Sequence, residues 1–185
     1  MEELFELFLE QSEKLRNGYR ASLLPINDNW FEILSSEIGE IPDLLKVIYS
    51  KVSGTEYETK DQKFMDFLPG YLLIHINEYA KANREFQNIL KNSGISEECV
   101  PLLRNYSSDF VAVKKDSGAV YEISHDDDEI HLIHKTPEDF LKTINAFYSE
   151  KVFFTDEDNY LDYDEDLQYE VGRQYNPDVE YWVEE

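Results

Sequence analysis

The residues of this 185-residue chain best equipped for chemistry begin at His125, where His125-Asp126-Asp127-Asp128-Glu129 is followed by His131 and His134. Imidazoles and carboxylates are common ligands of divalent metals, so the cluster raises zinc first. On a regular strand from Ile130 to His134, however, His131 and His134 project from opposite faces and cannot chelate one ion as a pair. Asp126, Asp127, Asp128 and Glu129 then read as a solvated acidic turn, and no metal is assigned. A second acidic set, Asp156, Glu157, Asp158, Asp162, Asp164 and Asp166, invites comparison with a calcium loop, which needs alternating acids, a central glycine and a closing glutamate. Counted from Asp162, Asp164 and Asp166 fit, but Leu167 stands at the glycine position and Arg173 at the glutamate position. Counted from Asp156, Leu161 and Leu167 fail in the same way. Cys99 lies between acids and an apolar segment, which raises rather than lowers a thiol pKa. No carboxylate pair is singled out by an apolar neighbourhood, and no phosphate-binding glycine loop is present. No catalytic residue and no cofactor is assigned.

Charge is the compositional outlier. The chain carries 40 acidic and 17 basic residues, a formal charge of -23. Such a molecule repels nucleic acid phosphates and anionic membranes and attracts basic partners. Acidity that merely keeps an abundant protein soluble accounts for the composition equally well. Hydrophobic content of 42% with 14% aromatics is too high for a disordered chain, and the length suits one domain with a sizeable core. A lone Cys99 rules out an internal disulfide and favours a reducing compartment. The start, with Glu2 and Glu3, lacks a signal-peptide pattern, and no apolar run approaches spanning length. A cytoplasmic protein without membrane or direct nucleic-acid contact is expected.

The elements that must position any site centre on Asp109 to Tyr148. A strand, a turn at Lys115-Asp116-Ser117-Gly118, a second strand, the acidic turn, a third strand and a helix follow one another. Gly118 suits the positive φ of a short hairpin loop. On the second strand Ala119, Tyr121 and Ile123 alternate with Val120, Glu122 and Ser124, and on the third Ile130 and Leu132 share a face. Thr136 predicts an N-cap, Pro137 the first helical position and Asp139 the capping-box acid, ahead of Phe140, Leu141, Ile144, Phe147 and Tyr148 at helical spacing.

Upstream, a helix is predicted from Glu2 to about Tyr19, with Leu4, Phe8, Leu15 and Tyr19 on one side, and a break follows at Leu24-Pro25. Asn27 or Asp28 caps a second helix with Trp30, Phe31, Leu34 and Ile38 inward, closed by Gly39. A third starts near Pro42, buries Leu44, Leu45, Ile48 and Val52, and stops at Gly54. Thr55 to Lys63 reads as loop, Phe64 to Phe67 as a short strand, Leu68-Pro69-Gly70 as a turn and Tyr71 to Ile76 as a strand. Asn77 caps a helix presenting Tyr79, Ala82, Phe86, Ile89 and Leu90, ended near Gly94, and Cys99 to Asn105 pairs with the central strands. Thr155 to Glu185 is acidic, but Leu161, Leu167, Tyr169 and Val171 make it too apolar for a solvated tail; Gly172 counts against a helix there, and the last residues fray.

The order of these motifs resembles the SUKH superfamily, which contains bacterial immunity proteins and fungal cell-wall-assembly regulators. Ile41, Pro42, Leu45, Tyr49 and Gly54 match its opening helix pattern. Leu68, Pro69, Gly70, Tyr71, Ile74, Glu78, Tyr79 and Asn83 match its middle segment. Asp109, Phe110, Val113, Gly118, Val120, Tyr121, Pro137, Phe140 and Leu141 match its closing sheet unit, and Tyr169 to Trp182 is similar to the ending of several bacterial members. The resemblance implies a single α+β domain over residues 1–185, an antiparallel sheet flanked by helices. Residues 1–40 form a helical extension outside the match, and 155–185 an acidic aromatic segment packed on the domain.

The resemblance also implies a binding protein without shared catalytic residues. The expected function is that of an immunity protein, whose partner is a cognate toxin, a basic nuclease domain. The residues expected at that partner are Asp126, Asp127, Asp128, Glu129, Asp156, Glu157, Asp158, Asp162, Asp164 and Asp166, placed where phosphates would lie in a nucleic-acid groove. A regulatory interaction module with no toxin, of the cell-wall-regulator kind, is the alternative, and a hydrolase with an unrecognised carboxylate pair is a third. Trp30, Trp182 and the tyrosines serve either as core or as interface anchors.

Overall fold

Strand pairing begins where the hairpin signals are strongest. β3 (Phe110–Lys114) and β4 (Val120–Ile123) pair antiparallel across the turn at Gly118, whose φ is +74°. A computed structural model describes residues 1–56, 58–94, 98–125 and 130–183. β1 (Leu72–Leu73), β2 (Cys99–Arg104) and β5 (Ile130–His134) complete a five-stranded antiparallel sheet in the order β1-β2-β3-β4-β5.

Helices cover both faces. α5 (Tyr79–Asn92) lies on one: Phe86 meets Phe110 with ring centroids 5.2 Å apart, and the Tyr79 hydroxyl donates to the Pro101 carbonyl at 2.9 Å. α6 (Pro137–Ser149) lies on the other, where Phe140 packs on His134 of β5. Thr136 caps α6 as its sequence predicts: its Oγ1 accepts the Asp139 N–H at 3.1 Å and donates to the Asp139 carboxylate at 2.8 Å. α1 (Glu2–Leu15) packs behind α6, and Asn145 donates to the Leu4 carbonyl at 2.9 Å. α2 (Tyr19–Ser22), α3 (Trp30–Ile38) and α4 (Asp43–Tyr49) complete the N-terminal side. The chain is one α+β domain, an antiparallel sheet flanked by helices, and no described helix is long and apolar enough to cross a membrane.

The C-terminal segment is folded. β6 (Phe153–Thr155) and β7 (Leu161–Tyr163) form a separate hairpin, α7 (Glu165–Tyr175) follows, and Glu180–Trp182 makes a 3-10 turn. Phe147, Phe153, Leu161, Val171, Val179 and Trp182 build a second apolar cluster that fastens this segment to α6.

Several expectations need correction. α1 ends at Leu15 rather than near Tyr19, because Arg16 turns inward: its guanidinium donates to the Asp66 carbonyl at 2.6 Å and to the Tyr148 hydroxyl at 3.0 Å, and lies 3.7 Å from the Tyr19 ring centroid. The buried stripe of α1 is Phe5, Phe8, Leu9 and Ser12, with Leu4 and Leu15 at its margins. Phe31 is 51% exposed, and α4 stops at Tyr49, short of Gly54. Gln62–Phe64 is a 3-10 turn in place of the strand expected at Phe64 to Phe67. His75, not Asn77, caps the turn before α5, its Nδ1 accepting the Asn77 N–H at 3.2 Å. β4 keeps its alternation against β3, but a bulge at Ile133, opposite Val120 and Tyr121, breaks it on β5, and Val120, Ile123, Ile133 and His134 are the buried positions.

Candidate protein-binding site

The six C-terminal acids converge on one structural unit, the β6–β7 hairpin and the start of α7. Asp156 builds the hairpin turn: its Oδ1 accepts the N–H groups of Asp158 at 2.9 Å and Tyr160 at 2.8 Å. Glu157 and Asp158 are left exposed at the tip. Asp162 lies opposite Phe154 across the hairpin. Asp164 caps α7, accepting the Leu167 N–H at 3.0 Å, and Glu165 and Asp166 occupy the first turn, where the helix dipole favours negative charge. Half of this charge is therefore also architectural. From Asp156 to Glu180 the chain has ten acids and one basic residue, Arg173. The Arg173 Nε donates to the Trp182 carbonyl at 3.1 Å, and the ion pairs formed among the described residues leave the six acids unused. Phe154, Tyr160 and Tyr163 are 40%, 38% and 38% exposed among them. Asp126, Asp127, Asp128 and Glu129, the other acids expected at a partner, lie outside the described residues.

Tyr163 also stands at the rim of a cavity of about 120 Å³ between the sheet, α6 and the C-terminal segment. Its floor carries Glu122, which pairs with Val111 and so shares the α6 side of the sheet. The Tyr71 hydroxyl donates to Glu122 Oε1 at 2.7 Å, and the Tyr181 hydroxyl bonds to the same carboxylate. Trp182 and Phe153 contribute ring walls. Burial, and then the Glu122 charge, push the Tyr71 and Tyr181 hydroxyls far above the ordinary phenol range. Tyr163 is raised by burial and by Glu165. Tyr71 and Tyr181 are thereby fixed as neutral donors beside a carboxylate. The sequence held one faint sign of this site: Glu122 shares a face with the apolar Val120 in the alternation.

The histidines take other roles. The register pairs His131 with Glu122 and His134 with Val120, so the bulge at Ile133 returns both to one side of the sheet, against the regular-strand expectation. His131 is exposed, whereas His134 is 3% exposed between Phe140 and Trp182. Asn176 donates through Nδ2 to the Gly172 carbonyl at 2.9 Å and to Thr143 Oγ1 at 2.9 Å, which orients its Oδ1 toward His134 Nδ1, 2.9 Å away. An amide oxygen only accepts, so His134 carries its hydrogen on Nδ1. Burial lowers its pKa to about 4. His125 is tied to Asp109, its Nδ1 lying 2.8 Å from Oδ1. Cys99 is buried on β2, paired with Lys114. Among the described residues no three His, Cys, Asp or Glu side chains are grouped to hold a metal ion. A separate exposed apolar group, Leu24, Ile26 and Phe31, lies at the entry to α3.

Compared with known proteins, the chain matches no family model and gives no significant match among curated proteins.

Proposed function

We propose that this chain is a binding protein of the immunity type, which masks a basic domain of a toxin, a nuclease, with the acidic, aromatic-studded surface of its C-terminal segment. The observation that carries the reading is the hairpin from Phe153 to Tyr163 with the start of α7. It presents carboxylates without paired cations beside three exposed aromatic rings. Carboxylates at this density steer a basic partner into encounter, and partly exposed aromatics gain contact area at little entropic cost when the partner closes over them. The resemblance to the SUKH superfamily supplies the toxin; the surface supports only a basic macromolecule.

The test uses the protein encoded next to this one. Co-expression and co-purification should yield a stable complex containing a basic domain. The side chains of Glu157, Asp158 and Asp166 make no turn or cap bond among the described residues, so Glu157→Gln, Asp158→Asn and Asp166→Asn together should leave the fold intact. The triple variant should associate roughly tenfold more slowly at low salt, with a shallower salt dependence. Association at the unaltered rate would remove the hairpin from the interface.

A further inference from the structure

We propose that the cavity over Glu122 is a receptor for the end of one basic side chain, supplied by the bound protein. The inference rests on the binding reading above and names the anchor of that contact. Volume sets the first limit. At about 120 Å³ the cavity is far below the roughly 300–1,000 Å³ of cofactor and small-molecule sites. It is close to the roughly 150 Å³ that takes up a benzene ring, so one side-chain terminus fills it.

Chemistry sets the second limit. Among the described residues the only carboxylate in the lining is Glu122, held in place by the Tyr71 and Tyr181 hydroxyls, and the aromatic residues Phe153, Tyr163 and Trp182 stand beside it in the lining. Aromatic rings beside a fixed carboxylate favour a cation through both quadrupole and charge, more strongly where water is excluded. An anion would meet Glu122 directly, and a neutral apolar group would bury that charge with only the two tyrosine hydroxyls to offset it. His134, among the described residues the other ionisable group of the lining apart from the tyrosines, is held neutral with its Nδ1 engaged by Asn176 and does not compete as the cation. Continuity sets the third. Tyr163 lies between Asp162 and Asp164, and Gln168 of α7 also lines the cavity, so the acidic surface runs to its mouth. A basic chain drawn to the hairpin arrives beside the opening.

The test needs no partner. The full chain is titrated with N-acetyl-arginine amide, N-acetyl-lysine amide and the neutral N-acetyl-norleucine amide, while the Trp182 indole and tyrosine ring signals are followed by NMR. The expected result is saturable, localised shifts at Trp182, Tyr71 and Tyr181 with a basic amide and none with norleucine. Glu122→Gln, which keeps an oxygen for the Tyr71 hydroxyl, should weaken binding at least tenfold at an unchanged melting temperature. Tyr163→Leu, at a partly exposed position, should weaken it several-fold and serves if Glu122→Gln fails to fold. Arginine exceeding lysine identifies a stacked guanidinium, and the reverse an ammonium; either result sustains the receptor. Shifts that never saturate, that norleucine reproduces, or that survive both substitutions overturn it. Each of those results leaves the hairpin reading standing, because that reading is judged by the partner's association rate. A cavity that binds the basic amides while no basic partner co-purifies would instead sink the toxin and keep the receptor.

Discussion

Two buried titratable side chains pull the stability of this domain in opposite directions as pH falls. His134 has its pKa lowered from 6.5 to about 4 by burial, so the folded state binds fewer protons than the unfolded state between those values. Its contribution is complete above pH 6.5 and is lost as pH falls toward 4, a loss of about 3 kcal/mol at the limit. Asp66, 8% exposed, has its pKa raised from 3.8 to about 6 by burial, against the Gly70 N–H and Arg16, which favour the carboxylate. Here the folded state binds more protons. A penalty of about 2–3 kcal/mol is complete above pH 6 and is relieved as pH falls toward 3.8. The wild-type profile between pH 7 and 4.5 is therefore flatter than either residue alone would give. Urea denaturation should show His134→Gln gaining stability relative to wild type as pH falls through this window, and Asp66→Asn losing it. Parallel profiles for all three proteins would show that neither group titrates across folding. Neither role was legible in the sequence. Strand parity places His134 on the face that the Ile133 bulge reverses, and Asp66 sits against Arg16, a residue fifty positions away in the chain.

Local chemistry carried across to the elements wherever an element is decided by its neighbours in sequence. Thr136, Pro137 and Asp139 set the start of α6, and Gly118 sets the β3–β4 turn, because caps and tight turns are satisfied within a few residues. α7 is the opposite case. Gly172 weighs against a helix by propensity, yet the helix runs through it because the Trp182 ring lies flush on its backbone; an added Cβ would come within 2.1 Å of Trp182 Cε3. That contact is made by a residue beyond the helix, so no window over α7 contains it. Gly172→Ala should gain about 1 kcal/mol of helix propensity. It should lose more by expelling Trp182, whose burial is worth about 3–5 kcal/mol and whose Nε1 donates to the Ile133 carbonyl at 2.7 Å. The expected outcome is a lower melting temperature with red-shifted tryptophan emission, and the Glu122 cavity should lose its wall at the same time. A melting temperature raised by the alanine would mean that the ring yields and that the C-terminal 3-10 turn is not anchored as described. Within the candidate site, the acids were legible by composition, but the cavity beside them was not, because Tyr71, Glu122 and Tyr181 meet only through the sheet and the C-terminal segment.

The charge of -23 acts on the molecule as a whole, and salt separates its two consequences. Most carboxylates stand without a cation, and those of the C-terminal segment are crowded along one hairpin and one helix start, so the folded state carries self-repulsion that the expanded chain relieves. Raising ionic strength from about 0.01 to 0.15 M shortens the screening length from about 30 to 8 Å. That removes repulsion between carboxylates on different elements and leaves contacts such as the Asp164 cap nearly untouched. Stability should therefore rise with salt over this range, seen as a melting temperature higher by a few degrees. The same screening weakens the field that draws in a basic partner, so the association rate should fall over the same interval, by about tenfold or more for a steered encounter. Opposite signs for the two quantities are what a single uncompensated field produces. If the association rate fell while the melting temperature stayed flat, the charge would be paired locally in the folded state, and the interface would draw on a few contact carboxylates in place of the field. If both stayed flat, acidity would serve solubility alone, and the binding surface would have to be sought at the apolar group of Leu24, Ile26 and Phe31 instead.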